Sequence, residues 1–325
     1  MIHADDRRAE LERWIGSQLR AAPFALAPAS EDASFRRYFR ATLHDGRSFV
    51  AMDAPPGKED CRPFVRIAAM LREAGVNAPA VIAQDFERGF LLLGDLGTRT
   101  YLAELTAASA PRLIGEASDA LLRWQLATRP GELPPYDESL LRREMNLFPE
   151  WYVQRHLQKS LSSGQKQILD NTFSLLVNSA LAQPAVYVHR DYMPRNLMVC
   201  EPNPGVLDFQ DAVIGPISYD IVSLLRDAFI SWDEERVIDW SVRYWEKAKQ
   251  AKLPVDADYG EFWRALEWMG LQRHLKVLGI FARIRYRDGK PRYLEDAPRF
   301  LGYVRAVAER YSALAPLARL LDELA

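Results

Sequence analysis

The sequence predicts an α+β protein of two lobes, a small β-rich N-terminal lobe and a larger, mainly helical C-terminal lobe. The first reason is length, since 325 residues exceed what one compact domain usually contains. The second is a change of hydrophobic period: strand-like segments are frequent in the first hundred residues, and helical spacing dominates from about residue 98 onward. The third is a Gly-containing break at residues 94–97, which we interpret as a hinge between lobes 1–97 and 98–325.

The N-terminal lobe begins with an amphipathic helix over residues 4–20, where apolar side chains recur at helical spacing among charges. A strand around residues 35–39 and a second strand over residues 48–52 flank the turn signal Asp45-Gly46. This pattern predicts a β-hairpin. One helix and two further strands complete the lobe, at residues 60–74, 81–84 and 89–93.

The C-terminal lobe is predicted to be helical apart from one short β-like island. The island lies around residues 186–188, 197–199 and 206–209, where short apolar runs interrupt the helical pattern. The predicted helices span residues 111–127, 138–159, 164–182, 218–231, 233–250, 258–280 and 297–322.

Composition and charge are those of an ordinary globular protein. Hydrophobic residues make up 48% of the chain and charged residues 26%, with a formal net charge of −2. This balance gives no electrostatic reason to expect a nucleic-acid or membrane partner, and nothing indicates an obligate protein partner. The first residues lack the apolar stretch of a signal peptide, and no window approaches the roughly 18 apolar residues of a membrane span. Cys61 and Cys200 are too few for a disulfide framework, so we expect a cytoplasmic protein with reduced thiols.

The most informative segment is the loop over residues 188–196, which reads Val-His-Arg-Asp-Tyr-Met-Pro-Arg-Asn. Twelve residues after Asn196, a strand over residues 206–211 carries Asp208 and Phe209. Transfer of a phosphoryl group needs a carboxylate that orients and deprotonates the attacking hydroxyl, and oxygen ligands that hold Mg²⁺ on the phosphate.

Asp191 has the position and chemistry of the base, and Asn196 and Asp208 have the hard oxygen ligands that Mg²⁺ prefers. The strands between the two ligands should bring them to adjacent ends of one hairpin. His189 and Arg190 are expected to support the loop. The alternative is a polar loop in which these residues only cap turns.

These motifs resemble those of the aminoglycoside phosphotransferase and choline kinase family, a branch of the protein-kinase-like fold. Residues 188–196 and 205–211 match its catalytic loop and metal-binding strand, and residues 215–220, Gly-Pro-Ile-Ser-Tyr-Asp, match the run that follows. Longer stretches extend the likeness to the branch of the family that phosphorylates amino sugars in cell-wall recycling. These stretches are residues 33–40, 52–56, 146–152 and 271–281.

The resemblance implies an ATP- and Mg²⁺-dependent kinase whose partner is a small-molecule sugar. It implies transfer to the anomeric hydroxyl of N-acetylmuramate or N-acetylglucosamine, giving a sugar 1-phosphate. Asp191 would be the base, and Asn196 and Asp208 would be the metal ligands. The resemblance also implies two sets of nucleotide contacts. Backbone groups of the hinge at Gly94, Asp95 and Leu96 would bind adenine. A loop that contains Ser34, Arg36 and Arg37 would cover the phosphates.

The sequence departs from the family pattern at two positions. The phosphate-covering loop has no glycine, and the third strand lacks the lysine that protein-kinase-like enzymes use to hold the α- and β-phosphates, with Met52 near its place. Arg37 or Arg40 could replace that lysine, Lys58 could reach back, or metal could hold the phosphates. A loss of ATP binding, as in a pseudokinase or a non-catalytic binding protein, is a further alternative.

Several secondary positions complete the hypothesis. Asp211 either helps to bind a second metal or orders the loop, and Asp220 should cap a helix and brace the catalytic loop. By analogy with the family, a substrate cleft would be lined by Glu144, Asn146, Trp151, Arg273 and His274. Arg273 could pair with the lactyl carboxylate of N-acetylmuramate, whereas a histidine such as His274 is more often a core residue. Alternative acceptors are an aminoglycoside, choline or homoserine.

Overall fold

The computed structural model of the chain describes residues 4–30 and 35–325. These residues divide into two units. The first comprises the described part of residues 1–104 together with residues 195–211, and the second comprises residues 105–194 and 212–325. The predicted fold class is confirmed, since the first unit contains the main β-sheet and the second is mostly helical. The boundary at residue 97 stays a prediction.

The first unit is built on a five-stranded antiparallel sheet with strand order β1-β2-β3-β5-β4. Gly46 turns the predicted hairpin with φ +86°, and the Asp45 carboxylate accepts the N–H of Arg47 at 3.0 Å. The hairpin is therefore confirmed, as are the two later strands. The strands are β1 (Phe24–Ser30), β2 (Arg37–Leu43), β3 (Ser48–Asp53), β4 (Val81–Asp85) and β5 (Phe90–Gly94).

Strand β1 was not predicted from the sequence. Its segment carries Pro28, which cannot donate a ladder hydrogen bond and argues against a central strand. In the structure β1 is an edge strand, and its register with β2 shifts between Pro28 and Ser30. An edge strand tolerates proline because one of its sides forms no ladder hydrogen bonds. Strand β1 therefore forms although its own sequence disfavours a strand.

Helix α1 (Ala4–Gln18) covers one face of the sheet, as its apolar stripe predicts. Its buried Leu11, Trp14 and Ile15 pack with sheet residues that include Phe39 and Phe90. The other helices of this unit are α2 (Arg62–Glu73) and the single turn α3 (Tyr101–Glu104).

A small hairpin from later in the chain completes the first unit. Its two-residue strands, Leu197–Met198 and Gly205–Val206, pair antiparallel. The Phe209 ring lies 4.7 Å from the Phe64 ring of α2, and the Asn77 side chain donates to the Pro202 carbonyl at 2.6 Å. The hairpin is thus fastened to the first unit by both apolar and polar contacts.

The second unit is organised around the long helix α9. A two-stranded sheet pairs Ala185–Val188 with Val213–Pro216, and the predicted catalytic loop follows its first strand. Its helices are α4 (Ala110–Leu126), α5 (Glu138–Met145), a π-helix (Phe148–His156), α6 (Ser163–Ala182), α7 (Ser218–Leu225), α8 (Glu234–Gln250), α9 (Tyr259–Asp288), α10 (Ala297–Arg310) and α11 (Ala315–Glu323). None of the helices among the described residues has the length and apolar character needed to cross a membrane.

Two predicted helices are each divided in the structure. The segment 138–159 becomes α5 and the π-helix, because Pro149 cannot donate a helical hydrogen bond near the junction. The segment 297–322 is interrupted where Tyr311 takes an extended backbone conformation before α11. Gly279 lets α9 approach the start of the π-helix, since a Cβ there would lie 2.4 Å from the backbone carbon of Leu147.

Candidate active site

Asn196 and Asp208, the predicted metal ligands, meet at one end of the small hairpin in the first unit. Asn196 immediately precedes the strand Leu197–Met198, and Asp208 follows Gly205–Val206. The Leu207 N–H donates to the Asn196 carbonyl at 2.9 Å, and Asn196 Nδ2 donates to Asp208 Oδ2 at 3.3 Å. The hairpin register therefore brings these two side chains together, as the spacing predicts.

The backbone at Asp208 is held in an unusual conformation. Its φ is +62°, in the left-handed region that a non-glycine residue occupies only at a cost of about 1 kcal/mol. The buried Phe209 ring packs on Phe64, and Gln210 Nε2 donates to Asp208 Oδ1 at 2.9 Å. These contacts hold the carboxylate in place, and its side chain is 42% exposed.

The oxygen ligands at this point suit Mg²⁺. Asn196 supplies an amide and Asp208 supplies a carboxylate. Rotation of the Asn196 amide by 180° would turn its oxygen, in place of its nitrogen, toward a cation. Mg²⁺ is usually bound by one or two protein carboxylates and completes its shell with phosphate oxygens and water. Across residues 4–30 and 35–325, no three His, Cys, Asp or Glu side chains cluster as a metal site. Because Mg²⁺ takes its remaining ligands from phosphate and water, the Asn196–Asp208 pair fits a cation that is shared with a phosphate.

Arg36 approaches Asp208 within the first unit. Its Nη2 lies 4.0 Å from Asp208 Oδ1, and its side chain is only 12% exposed. Ser34, predicted to contact the phosphates with it, lies outside the described residues.

The other cations considered as substitutes for the missing lysine bind elsewhere. Arg37 Nε donates to Asp53 Oδ2 at 3.0 Å, and Arg7 Nε donates to Asp53 Oδ1 at 3.0 Å. Asp53 is fully buried, and a buried carboxylate needs a positive charge beside it, which these two guanidinium groups supply. The Lys58 ammonium lies 4.3 Å from the centre of the Phe35 ring, and Met52 is buried in β3.

Arg40 is tied to the predicted hinge. Its Nε donates to Asp95 Oδ2 at 2.6 Å and its Nη2 donates to the Gly97 carbonyl at 2.9 Å. Burial opposes ionisation of Asp95, but hydrogen bonds from Arg40, Ser48 and the Gly97 N–H outweigh it and lower the pKa of this carboxyl. The Asp95 side chain therefore orders the hinge backbone.

The other two hinge residues are held within the first unit. The Gly94 N–H donates to the Ala80 carbonyl at 2.8 Å. Leu96 packs so closely on Gly205 that a Cβ on that glycine would lie 2.9 Å from its Cδ1. Asp211 is exposed, three residues after Asp208.

Asp220 braces the predicted catalytic loop in the second unit. This fully buried carboxylate accepts the His189 N–H at 2.6 Å and the Arg190 N–H at 3.0 Å. Burial raises the pKa of Asp220 to about 7, although both N–H donors act in the opposite direction. The two hydrogen bonds also support Arg190, whose φ of +76° is left-handed. Asp220 thus lies where the sequence predicts a brace. The predicted helix cap is wrong, because α7 begins at Ser218 after Ile217 and the Asp220 carboxylate accepts loop N–H groups instead.

Further contacts fix the loop around Asp191. The Asp191 N–H donates to His189 Nδ1 at 3.3 Å, and the Met193 N–H donates to the Asp191 carbonyl at 2.9 Å. The Tyr192 hydroxyl donates to the Ala117 carbonyl of α4 at 2.8 Å. Asp191 is therefore presented by a loop that is anchored on both sides.

Glu144 contacts Arg190 of the predicted catalytic loop, in a buried network that the sequence does not predict. Its Oε1 accepts Arg190 Nη2 at 2.5 Å and Lys276 Nζ at 2.9 Å, and its Oε2 accepts the hydroxyl of Tyr136. Burial opposes ionisation, but the charges of Lys276 and Arg190 outweigh it and lower the pKa of Glu144 to about 2. No local signal could have found this network, because its members come from distant parts of the chain.

The other predicted substrate residues do not share one surface with Glu144. Asn146 follows the last residue of α5 and lines a cleft of about 480 Å³ with Lys166 and Asp170. Trp151 is half-buried in the π-helix. Contact of these residues with a substrate stays a prediction.

Arg273 and His274 are buried in α9. Arg273 Nη1 donates to the Arg226 carbonyl at 3.5 Å. The His274 ring packs 5.2 Å from Phe300 and 5.0 Å from Tyr303, and burial lowers its pKa well below the ordinary value. The structure thus gives His274 the surroundings of a core histidine, and the role proposed for Arg273 in substrate binding stays a prediction.

An antiparallel sheet unit, a helical unit and a His-Arg-Asp loop followed by an Asn–Asp pair are the features of a protein-kinase-like phosphotransferase. Residues 25–254 match the sequence pattern that defines the phosphotransferase enzyme family, and the chain belongs to this family.

Two relatives are similar over their full length. A Pseudomonas putida protein named N-acetylmuramate/N-acetylglucosamine kinase is 53% identical, and the alignment covers 100% of this chain and 98% of the relative. A Pseudomonas aeruginosa protein of the same name is 52% identical over 98% of this chain and 97% of the relative.

A solved structure supports the same fold at low sequence identity. The choline/ethanolamine kinase family protein from Mesorhizobium loti superposes with a TM-score of 0.65 at 13% identity, covering 96% of this chain and 99% of the other. At that identity the similarity concerns the fold alone.

Proposed function

We propose that this protein is an ATP- and Mg²⁺-dependent sugar kinase that phosphorylates the anomeric hydroxyl of N-acetylmuramate and N-acetylglucosamine. The observation that carries the choice of acceptor is the full-length similarity to relatives named for these two sugars, at 52–53% identity. Because ATP is the phosphoryl donor, we propose that the reaction takes place in the cytoplasm.

Asp191 acts as the base in this proposal. It accepts the proton of the anomeric hydroxyl as that oxygen forms a bond to the γ-phosphorus of ATP. The bond from the γ-phosphorus to the oxygen shared with the β-phosphate breaks, so that ADP leaves and a sugar 1-phosphate forms. The brace at Asp220 and the anchor at Tyr192 support this role, because a base must be held in one orientation to act on a hydroxyl.

Asn196 and Asp208 hold the cation. A Mg²⁺ ion held by these residues would supply positive charge that offsets the negative charge of the ATP phosphates. The 3.3 Å approach of the two side chains and the constrained backbone of Asp208 support this assignment.

Arg36 is proposed as the arginine that contacts the phosphates. Its guanidinium already lies 4.0 Å from Asp208, whereas Arg37 and Arg40 form ion pairs with Asp53 and Asp95. A planar guanidinium binds phosphate oxygens well, so it can supply the charge of the absent third-strand lysine. The backbone of Gly94, Asp95 and Leu96 is proposed to bind adenine.

A panel of acceptors tests the function. ADP release with Mg²⁺ is measured with N-acetylmuramate, N-acetylglucosamine, choline and kanamycin, and ³¹P NMR then identifies the phosphorylated position. We expect turnover with the amino sugars and a 1-phosphate product. The Asp191→Asn variant, which keeps the shape of the side chain, should lose activity by at least about a hundredfold.

Two results would contradict the proposal. Turnover with choline or kanamycin but not with the sugars would refute the acceptor. Equal turnover by the wild type and Asp191→Asn would refute the role of the base.

A further inference from the structure

Two positions of the predicted hinge are tied to the sheet of the first unit by one arginine. Arg40 Nε donates to Asp95 Oδ2 at 2.6 Å, and Arg40 Nη2 donates to Asp95 Oδ1 at 3.1 Å and to the Gly97 carbonyl at 2.9 Å. Asp95 Oδ1 also accepts the Gly97 N–H at 2.9 Å. Two parallel guanidinium–carboxylate bonds fix direction as well as distance. Residues 95 and 97 are therefore held in one orientation relative to β2, which carries Arg40.

The Arg40–Asp95 ion pair reaches across the sheet from β2 to the end of β5. Arg40 lies opposite Val50 of β3, and β3 lies between β2 and β5. The Asp95 side chain is 5% exposed, and solvent screens such a pair less than it screens a surface pair. Arg40 thus differs from Arg47, near the turn of the same hairpin, whose ion pair with Asp45 is exposed.

Leu96 lies between the two fixed positions. None of residues 4–30 and 35–325 forms a hydrogen bond with the Leu96 N–H or carbonyl. The Leu96 side chain packs against Gly205 of the small hairpin, where a Cβ would lie 2.9 Å from Leu96 Cδ1. The residue is thus held on both sides, and its backbone offers one donor and one acceptor to a ligand.

A donor and an acceptor at fixed positions can distinguish two purine bases. Adenine carries an amino group where guanine carries a carbonyl oxygen, so the two bases need opposite partners at this position. A site built to hydrogen-bond one of these patterns rejects the other, because polar groups are then left unpaired. This discrimination requires a backbone that is held in place and does not rotate to suit the other base.

We infer that Arg40 is a positioning residue for the nucleotide base, which fixes the Leu96 backbone and thereby selects adenine over guanine nucleotides. This inference rests on the proposed function, in which backbone groups of the hinge bind adenine. The role differs from replacement of the third-strand lysine at the phosphates, because the Arg40 guanidinium is bound to Asp95 and Gly97.

Two variants remove the Arg40–Asp95 pair in different ways. Arg40→Met leaves the Asp95 carboxylate without its guanidinium partner, which also lowers stability. Arg40→Met/Asp95→Asn removes both charges, so no unpaired charge remains and we expect this double variant to fold. The matched control is Arg47→Met, which removes an exposed arginine–aspartate pair from the same hairpin.

Binding of ADP and GDP in EDTA, measured by isothermal titration calorimetry, is the first test. EDTA removes any metal held by Asn196 and Asp208, so the measurement reports the contacts of the base more directly. We expect the wild type to bind ADP at least about tenfold more tightly than GDP. Both Arg40 variants should bind ADP about tenfold more weakly, with the affinity for GDP changed by less than about threefold. Arg47→Met should match the wild type.

Steady-state kinetics of the double variant are the second test. We expect the KM for ATP to rise by about tenfold, while kcat at saturating ATP and the KM for the sugar change by less than about threefold. A rise in the KM for the sugar equal to that for ATP would contradict a role at the base, because Arg40 then acts on the whole protein.

The outcomes separate this inference from the proposed function. Undiminished preference for ADP in the double variant would refute the role of Arg40 alone. An equal loss of ADP and GDP affinity would refute it too, since a general distortion of the unit has that effect, and so would a wild type that binds both nucleotides equally. A wild type that binds neither nucleotide, with or without Mg²⁺, would refute the proposed function and this role with it.

Discussion

Asn196 Nδ2 lies 3.3 Å from Asp208 Oδ2, so two residues twelve positions apart in the chain meet at one end of a short hairpin. The hairpin contains only two pairs of opposed residues, Leu197 with Val206 and Met198 with Gly205. Its geometry depends on the contacts that fasten it to the first unit. The proposed metal site is therefore a product of the fold around the hairpin.

Replacement of Asp208 should remove Mg²⁺-dependent nucleotide binding. Asn tolerates the left-handed φ of this position, so Asp208→Asn should fold normally while it loses the ionic ligand. We expect ADP binding in the presence of Mg²⁺ to weaken by about tenfold or more, measured by isothermal titration calorimetry with and without the metal. Asp60→Asn, at an exposed position of the same unit, is the control and should bind like the wild type. Undiminished Mg²⁺-dependent binding by Asp208→Asn would rule out this ligand.

Arg36 and Arg37 should differ sharply despite their adjacency. Arg36→Met removes a proposed phosphate contact, which predicts a KM for ATP raised by about tenfold with little change in stability. Arg37→Met leaves the buried Asp53 with only Arg7 as an arginine partner among the described residues, which predicts a loss of about 1–3 kcal/mol in the free energy of unfolding. Steady-state kinetics and urea denaturation of both variants provide the measurement. If Arg37→Met raised the KM for ATP and Arg36→Met lowered the free energy of unfolding, the phosphate contact would have to be assigned to Arg37.

Asp220 should make stability depend on pH in one direction. Its pKa rises from an ordinary 3.8 to about 7 in the folded protein, so between these values the folded state binds a proton that the unfolded state has released. The resulting contribution to stability is complete below about pH 4 and is lost as the pH rises through about 7. Asp220→Asn cannot titrate and lacks this contribution.

The measurement is the difference in the free energy of unfolding between the wild type and Asp220→Asn. We expect the wild type to have a larger advantage at pH 5 than at pH 8, by an amount on the order of 2–4 kcal/mol. Because the two proteins share all other titrating groups, the contributions of those groups to the difference in unfolding free energy largely cancel. An advantage that is equal at both pH values would show that Asp220 has no such shift.

Gly279 should be intolerant of a methyl group, whereas Gly302 should accept one. A Cβ on Gly279 would lie 2.4 Å from the Leu147 backbone carbon, so Gly279→Ala must move the π-helix away from α9 at a cost of about 1–3 kcal/mol. A Cβ on Gly302 in α10 meets no other atom within 4 Å, and Ala there should stabilise the helix by about 0.5–1 kcal/mol. Melting temperatures of the two variants should shift in opposite directions. Equal shifts would mean that helix propensity alone determines both effects.

The elements that sequence patterns predicted well are those with a strong local signal. The hairpin around Gly46 and helix α1 each follow from alternation or helical spacing within a few residues. Strand β1 was missed because Pro28 argues against a strand, and only the edge position in the sheet makes it acceptable. Local patterns thus identify an element when its own residues determine it.

The residues of the proposed site also differ in whether a local pattern could predict them. Asp191, Asn196 and Asp208 lie within eighteen consecutive residues, so spacing alone could identify them. The pairing of Glu144 with Lys276 joins residues 132 positions apart and depends on the packing of α5 against α9. Glu144 was selected as a substrate residue because the resemblance placed its segment near the cleft. Its burial beneath Arg190 could be learned only from the tertiary structure.

The membership of residues 195–211 in the first unit has a consequence for any attempt to dissect the protein. A fragment that stops after residue 104 lacks the aromatic partner of Phe64 and the carbonyl that receives the Asn77 amide. During translation, this unit cannot acquire its full set of internal contacts until nearly two thirds of the polypeptide has been synthesised. A minimal version of this unit would need the late hairpin joined to the early sheet.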